Sequence, residues 1–302
     1  MSRRMLVIRN PKAGSFLSQN TFLEAAGVIF KSDYNVYVYS TQSRGDATRI
    51  VAEEGSIYDC VVAFGGDGTL NEVINGLMRL EKRPLLGYIP AGTTNDFAVG
   101  LGLPRNTVRA AGTVLEGVPV ELDVGKFGED RYFSYVASFG TFTKASYSAP
   151  QEVKNLIGYA AYLLEGLKTL ADVRSYHMTV EADGQVITDD FIFGAVSNAL
   201  SVGGVMKFRS GEVDLRDGLF EVLMIRSPRS LTDLQRLIRD VATQNYHTDQ
   251  FLCLKAERVS VSCDQEVAWT VDGELGGSTK EVRMENCKRA IRILTPKENE
   301  DA

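Results

Sequence analysis

The sequence predicts an α/β protein of two domains: an N-terminal parallel sheet covered by helices, then a larger C-terminal domain that is β-rich and sandwich-like. Three observations carry this. Short apolar runs at Met5–Ile8, Tyr34–Tyr39, Cys60–Phe64 and Leu85–Ile89 read as strands, the continuous ones buried on both faces. Between them, Phe22–Ile29, Gly45–Glu53 and Leu70–Leu80 carry helical spacing, which makes successive βα units. Beyond about residue 174 the period changes to two, as in Tyr176, Met178, Val180 and Ala182, and strand candidates follow one another.

The first domain is organised around Gly65-Gly66-Asp67-Gly68-Thr69, set between the Cys60–Phe64 strand and a helix whose apolar residues are Leu70, Val73, Ile74, Leu77 and Leu80. Polar Asn71, Glu72, Asn75 and Arg79 fall between those positions. A strand–glycine–helix turn collects free N–H groups at a helix start, where the dipole favours negative charge. Asp67 would repel a phosphate unless a cation intervenes, so the turn suits a magnesium nucleotide; alternatively, Asp67 caps the helix and nothing binds.

Other strand ends carry compatible chemistry. Asn10-Pro11-Lys12-Ala13-Gly14 follows the first strand with a directional amide, a mobile cation and a flexible glycine. It lacks Walker A spacing and, alone, reads more readily as a surface turn. Thr41 ends the second strand and offers a hydroxyl to a nucleotide or to the next turn. Pro90-Ala91-Gly92-Thr93-Thr94-Asn95-Asp96 follows the fourth, with Thr94 or Asn95 as helix caps. In an open α/β sheet such ends converge on the ligand crevice. Val108–Leu115 is the next helix, and Glu121–Lys126, with Asp123 a weak site signal, leads out of the domain.

In the second half, Tyr132–Ala137 reads as a strand and Val153–Thr169 as a helix. Further strands are expected at Val186–Val196, Gly218–Ile225, Leu252–Val261, Val267–Val271 and Arg289–Leu294, with a helix at Leu231–Val241 whose apolar face includes Leu231. Asp214-Leu215-Arg216-Asp217-Gly218-Leu219 is a tight acidic turn that could hold a hard cation or form an Asp-Gly hairpin. Asp272-Gly273-Glu274 sets two carboxylates two residues apart, for metal and proton work or as one more acidic turn.

With 33 basic and 39 acidic side chains the net charge is −6, which disfavours a nucleic-acid partner. Cys60, Cys253, Cys263 and Cys287 show no CxxC spacing, and His177 and His247 stand alone, so neither a zinc site nor a disulfide framework is expected. The N-terminal apolar run is too short for a signal peptide and no stretch approaches a transmembrane length, so a cytoplasmic protein is expected.

Together the motifs Asn10–Gly14, Gly65–Thr69, Pro90–Asp96 and Val271–Glu274, with Thr41 and Gly45-Asp46-Ala47, resemble the bacterial diacylglycerol kinase-like lipid kinases. That family shares its nucleotide-binding architecture with NAD kinases and phosphofructokinases. The resemblance spans about residues 3–295 and implies an ATP-binding domain over 1–128 and a lipid-substrate domain over 129–302, with room for the C-terminus to return to the first. It assigns Asn10, Pro11, Lys12, Ala13, Gly14, Thr41, Gly65, Gly66, Asp67, Gly68, Thr69, Leu70, Asn71 and Thr94 to the nucleotide. Asp67, Asp96, Asp123 and Asp272 form its polar catalytic network, and Glu274 matches the proton acceptor. Asp217, with the main-chain carbonyls of Asp214 and Leu219, matches a structural magnesium site. Ala13 stands where relatives often carry serine, which removes one phosphate donor.

The implied reaction is ATP- and magnesium-dependent phosphorylation of a lipid hydroxyl, above all 1,2-diacylglycerol to phosphatidic acid, with peripheral contact at the inner membrane surface. Phosphatidylglycerol, sphingosine or another lipid alcohol as acceptor, an NAD kinase, and a nonenzymatic nucleotide or lipid sensor are the alternatives. A homodimer is expected from general prevalence only.

Overall fold

The computed structural model describes residues 2–12, 18–92, 95–140, 174–199, 201–202, 206–207 and 213–297. The chain divides into two compact units, residues 1–124 with 288–302, and residues 125–287. The helix expected at 153–169 lies outside the described residues, as do Ala13, Gly14, Thr93 and Thr94.

The first unit contains β1 (Arg3–Arg9), α1 (Ser18–Ile29), β2 (Tyr34–Ser40), α2 (Asp46–Glu54), β3 (Cys60–Gly65), α3 (Asp67–Leu77), β4 (Leu85–Pro90), α4 (Asp96–Gly100) and α5 (Thr107–Glu116). β5 (Val118–Phe127) follows. Strand order is β2-β1-β3-β4, all parallel, and a late strand joins beside β4 through Ile293 opposite Leu86. Met5, Val7, Val62 and Phe64 pack with Ala25 and Ile29 of α1 and with Ala110 and Val114 of α5. Leu6, Ile8, Val61 and Ala63 alternate with them and are equally buried, which is why these strands read as unbroken apolar runs.

Asn71 and Asn75, polar positions between the apolar ones of α3, are buried, and the Asn75 side-chain amide donates to the Asn71 side-chain oxygen (3.1 Å) and carbonyl (2.9 Å). A buried pair so bonded offsets its own desolvation, and an i,i+4 spacing makes the contact local. Glu121–Lys126, expected as a connector, lies within the ten-residue strand β5, whose Leu122–Gly125 are buried.

The second unit contains β6 (Arg131–Phe133), β7 (Val136–Gly140), β8 (Tyr176–Ala182), β9 (Gln185–Ser197), the short pair β10 (Ser201–Val202) and β11 (Met206–Lys207), β12 (Phe220–Arg226), α6 (Leu231–Ala242), β13 (Phe251–Ala256) and β14 (Arg258–Val271). β15 (Glu274–Thr295) begins here, and its residues from Lys288 onward belong to the first unit. Antiparallel order runs β13-β12-β9-β7-β14-β15. β9 and β14 are long enough for each to pair β8 with one half and β7 with the other, which curls the sheet around Phe133, Phe139, Phe191, Phe220 and Trp269. Leu234, Leu237 and Val241 of α6 cover Ile192, Phe193, Leu223 and Ile225. Leu231 is not on that face; it is exposed, just inside the Ser230 cap.

Three strand expectations are corrected by hydrogen bonding. Tyr132–Ala137 is two strands, because the amides of Ser134 and Tyr135 turn to the Asp272 carboxylate. Leu252–Val261 breaks at Glu257, where the Asp183 carboxylate takes the amides of Glu257 (2.8 Å) and Arg258 (2.9 Å). Arg289–Leu294 is only the end of the 22-residue β15, whose glycine- and charge-rich first half hides a long hairpin with β14.

Candidate active site

In the first unit the sheet register puts the ends of β1, β2, β3 and β4 on one edge: Arg9 lies opposite Ser40 and Phe64, and Gly65 opposite Pro90. The residues following them therefore gather. The Asn10 side-chain amide donates to Thr69 Oγ1 at 3.2 Å, while its oxygen accepts the Lys12 N–H at 2.9 Å. Pro11 and Lys12 are exposed in the turn this closes. The Thr41 N–H donates to the Arg9 carbonyl at 2.9 Å, so Thr41 sits beside the same loop.

Asp67 is the first residue of α3, not its cap; the cap is Gly66, in extended backbone (φ −87°), and it offers no side-chain oxygen to the first-turn amides. A helix start capped this way keeps donors for an anion. Thr69 is buried, and Leu70 is buried in the core with its N–H given to the Gly66 carbonyl (3.1 Å), so Leu70 contributes through backbone placement.

The glycine loop and the loop after β4 are in contact. A Cβ on Gly92 would stand 2.6 Å from Gly66 Cα, so the two backbones approach as closely as glycine permits. The Tyr88 hydroxyl reaches Asp67 Oδ1 (3.4 Å) and Asn95 Oδ1 (3.3 Å), joining the same loops from beneath. Asn95 adopts the left-handed conformation (φ 50°), and its side chain turns back to Gly92, accepting the Gly92 N–H (3.0 Å) and donating to the Gly92 carbonyl (2.9 Å), instead of capping α4. Asp96 opens α4. Sequence reading missed Tyr88 because it sits inside an apolar strand, where an aromatic residue reads as core.

Two other acidic residues of this unit serve backbone. Glu72 takes the amides of Gly45 (2.9 Å) and Ala47 (3.2 Å), which ties the Gly45-Asp46-Ala47 turn to the helix that follows the glycine loop. Asp123, 2% exposed, accepts the N–H of Arg289 at 2.7 Å, where Arg289 has φ 50°.

In the second unit, Asp272 (φ 46°) and Gly273 (φ 79°) are the two central residues of the β14–β15 turn, with Val271 paired to Glu274. Positive φ at both positions is the type I′ geometry that an Asp-Gly pair favours. Glu274 thus follows the turn as the first residue of β15, half-buried, while its neighbour Leu275 is 72% exposed.

The acidic turn at Asp214–Leu219 is closed by the Asp217 N–H to the Asp214 carbonyl (3.4 Å) and by the Leu219 N–H to Asp217 Oδ1 (2.9 Å). The Asp214 carboxylate is exposed and accepts from Arg216. Lys255 Nζ stands 3.8 Å from Asp217 Oδ2 and 3.4 Å from Oε1 of Glu221. Glu221, 4% exposed, has no hydrogen-bond partner on either carboxylate oxygen. Burial pushes it up to about 7; Lys255 pulls it down and Asp217 adds to the rise. Among the described residues no three His, Cys, Asp or Glu side chains cluster as a ready metal group. A hard cation at this turn would therefore rest on Asp217 and main-chain oxygens. The Glu221 carboxylate, which faces a lysine shared with Asp217, fits such an ion, since one ammonium serves two acids.

This architecture, a parallel-sheet unit with loops gathered at a helix start and a curled antiparallel unit, has counterparts among known proteins. Residues 4–127 match the model of the diacylglycerol kinase catalytic domain, and residues 136–295 that of the YegS C-terminal NAD kinase beta sandwich-like domain. A diacylglycerol kinase of Bacillus subtilis (strain 168) is 34% identical over 98% of this chain and 97% of its own, and one of Staphylococcus carnosus (strain TM300) is 32% identical over 99% and 97%. A diacylglycerol kinase structure from Bacillus anthracis str. Sterne, 24% identical over 97% of both chains, shares the fold with a TM-score of 0.74. A further solved chain from the same organism reaches 0.79 at 26% identity, over 97% of both chains. The fold thus defines a two-domain kinase. The chain belongs to the bacterial diacylglycerol kinase-like family and is an enzyme of it.

Proposed function

We propose that the protein transfers the γ-phosphate of ATP to a lipid hydroxyl, with 1,2-diacylglycerol as acceptor and phosphatidic acid as product. The observation that carries this reading is the joining of the Asn10, Gly65–Thr69 and Gly92–Asn95 loops at the uncapped start of α3, in a chain of this family. Lys12 and the first-turn amides of α3 offset the charge of the nucleotide phosphates, and Thr41 borders them. The family resemblance would add Gly14 and Thr94 to the nucleotide contacts, and Asp96 and Asp123 to the catalytic network. Magnesium, when bound with the nucleotide, would supply positive charge to offset that of the phosphates. Asp67, held by Tyr88, is placed to orient that end of the nucleotide.

Glu274 accepts the hydroxyl proton as the lipid oxygen bonds to the γ-phosphorus; the bond from that phosphorus to the bridging oxygen breaks and ADP leaves. At the acidic turn, Asp217 and the carbonyls of Asp214 and Leu219 would hold a second, structural magnesium. No helix among the described residues is long and apolar enough to cross a membrane. On the proposed reading a lipid acceptor would be met at the membrane surface, on its cytoplasmic side.

The test is transfer of radiolabel from γ-labelled ATP to diacylglycerol, phosphatidylglycerol or sphingosine in mixed micelles, or to NAD, each with magnesium. Labelled phosphatidic acid is expected. Label confined to another alcohol, or to NAD, rejects the substrate, and no label on any acceptor rejects the reaction.

A further inference from the structure

Among the described residues of its unit, no other carboxylate is held as Asp272 is. Its Oδ2 accepts the Ser134 N–H (2.8 Å) and the Ser134 hydroxyl (3.0 Å), and its Oδ1 accepts the N–H groups of Tyr135 (2.9 Å) and Val136 (2.9 Å). The bond is reciprocated, since the Asp272 N–H donates to the Val136 carbonyl at 2.8 Å. A carboxylate has about four lone-pair sites, and protein donors meet that number here. Little remains for a metal ion.

The turn itself does not require aspartate. At φ 46° an asparagine is equally at ease in a type I′ turn. Asparagine, though, would replace one oxygen with an NH2 and set it against donors already in place, so the two-oxygen acceptor is what this position selects. The consequence reaches Glu274 through two short steps. Val271 pairs with Ala137 of β7 on one side and with Glu274 on the other, so the bend at Ser134–Val136, the start of β7 and the first residue of β15 form one hydrogen-bonded block.

We propose that Asp272 is a positioning residue: its carboxylate ties the Ser134–Val136 bend to the β14–β15 turn and so fixes the direction in which Glu274 faces the lipid hydroxyl, without ligating metal. This rests on the reading of Glu274 as proton acceptor. Ser134 is the second member of the device.

Asp272→Asn and Ser134→Ala, made in the full chain, test it through three readouts: steady-state kinetics, the magnesium concentration at half-maximal rate, and amide hydrogen exchange over residues 132–138. A misplacement on the order of 1 Å can lower turnover about 100-fold, so Asp272→Asn is expected to lose about that much kcat. Its KM for ATP and its magnesium half-saturation should stay within about twofold of wild type while exchange at the bend accelerates at least about tenfold. Ser134→Ala removes one of four bonds to an ionised group and keeps the charge, so a smaller loss of kcat, about three- to tenfold, is expected in the same direction. A rise of magnesium half-saturation beyond tenfold in Asp272→Asn, unchanged exchange at the bend, or wild-type turnover in Ser134→Ala overturns the proposal. If Asp272→Asn does not fold, Ser134→Ala decides alone. Wild-type protein that phosphorylates none of the lipids refutes the kinase reading instead, a result distinct from a variant effect on an active enzyme.

Discussion

Replacing Gly92 with alanine tests whether the glycines of the phosphate loops are there for each other. The added Cβ would lie 2.6 Å from Gly66 Cα and 2.9 Å from Asn95 Oδ1. Carbon atoms in contact settle at about 3.5–4.0 Å, so the two loops must part by roughly 1 Å. Neither obstacle is the far end of a flexible side chain: one is backbone, and the other is held by its bonds to Gly92 and Tyr88. Forced overpacking of this sort costs about 1–3 kcal/mol. In a domain of this size that lowers the melting temperature by about 2–4 °C per kcal/mol. Because the loops that part are those assigned to the nucleotide, ATP affinity should fall as well.

Gly112→Ala is the internal control. Gly112 lies within α5, and its Cβ meets nothing within 4 Å, so the same substitution should stabilise by about 0.5–1 kcal/mol through helix propensity. If the close approach is real, thermal unfolding of the two variants side by side gives opposite signs, and ATP titration shows weaker binding for Gly92→Ala only. A Gly92→Ala protein with wild-type melting temperature and wild-type ATP affinity would refute the reasoning, because no other glycine freedom is being invoked at that position.

Glu274→Gln keeps shape and hydrogen-bonding capacity but cannot take a proton, so kcat should fall at least about 100-fold while ATP binding by calorimetry is unchanged; turnover within a few-fold of wild type would remove Glu274 as the base. Glu221, raised to about 7 mainly by burial, binds its proton more tightly folded than unfolded. Its contribution is therefore full below the ordinary glutamate range and lost as pH rises through about 7, up to about 3 kcal/mol in all. Urea unfolding in magnesium-free buffer at pH 5 and pH 8 should show wild type losing more stability than Glu221→Gln across that interval, and identical losses would contradict the assignment. Ser230 caps α6 by accepting the Asp233 N–H at 3.1 Å. Ser230→Ala should cost about 0.5–2 kcal/mol by the same urea assay, and no change in midpoint would mean that the cap contributes nothing.

The elements that sequence reading found are those whose burial follows a regular pattern, either continuous or alternating. Met5–Ile8 and Cys60–Phe64 are buried throughout, so an apolar run marks them without help from tertiary structure. Tyr176–Ala182 alternates strictly because one face only is covered. What escaped was decided by distant partners. Nothing near residue 133 announces a break, because the acceptor that bends the chain is Asp272, 138 residues away from Ser134. β15 escaped because its hairpin half alternates buried residues with charges and carries Gly276 and Gly277, a composition that reads as loop. The site was legible as motifs, since glycines and acids at strand ends are conspicuous. Its supports were not: Tyr88 looks like core, and the Glu221–Lys255 contact joins strands far apart in sequence.

Two Asp-Gly turns in this chain look alike as sequence and differ in what their carboxylates have left to give. At Asp272 the acceptor capacity is met by the donors of a single neighbouring bend, so the charge is neutralised by the fold and the residue acts on Glu274 through geometry. At Asp217 one oxygen closes the turn through Leu219, the other is 3.8 Å from a shared lysine, and a buried second carboxylate stands alongside with neither oxygen hydrogen-bonded. One ammonium cannot neutralise both acids, which is why burial lifts Glu221 instead of leaving it in the usual carboxylate range. On the proposed reading, the structural magnesium would meet the remaining need for positive charge at the Asp217 turn. A carboxylate engaged by backbone amides holds structure, and one left short of partners beside a second acid is where a cation is stabilised most.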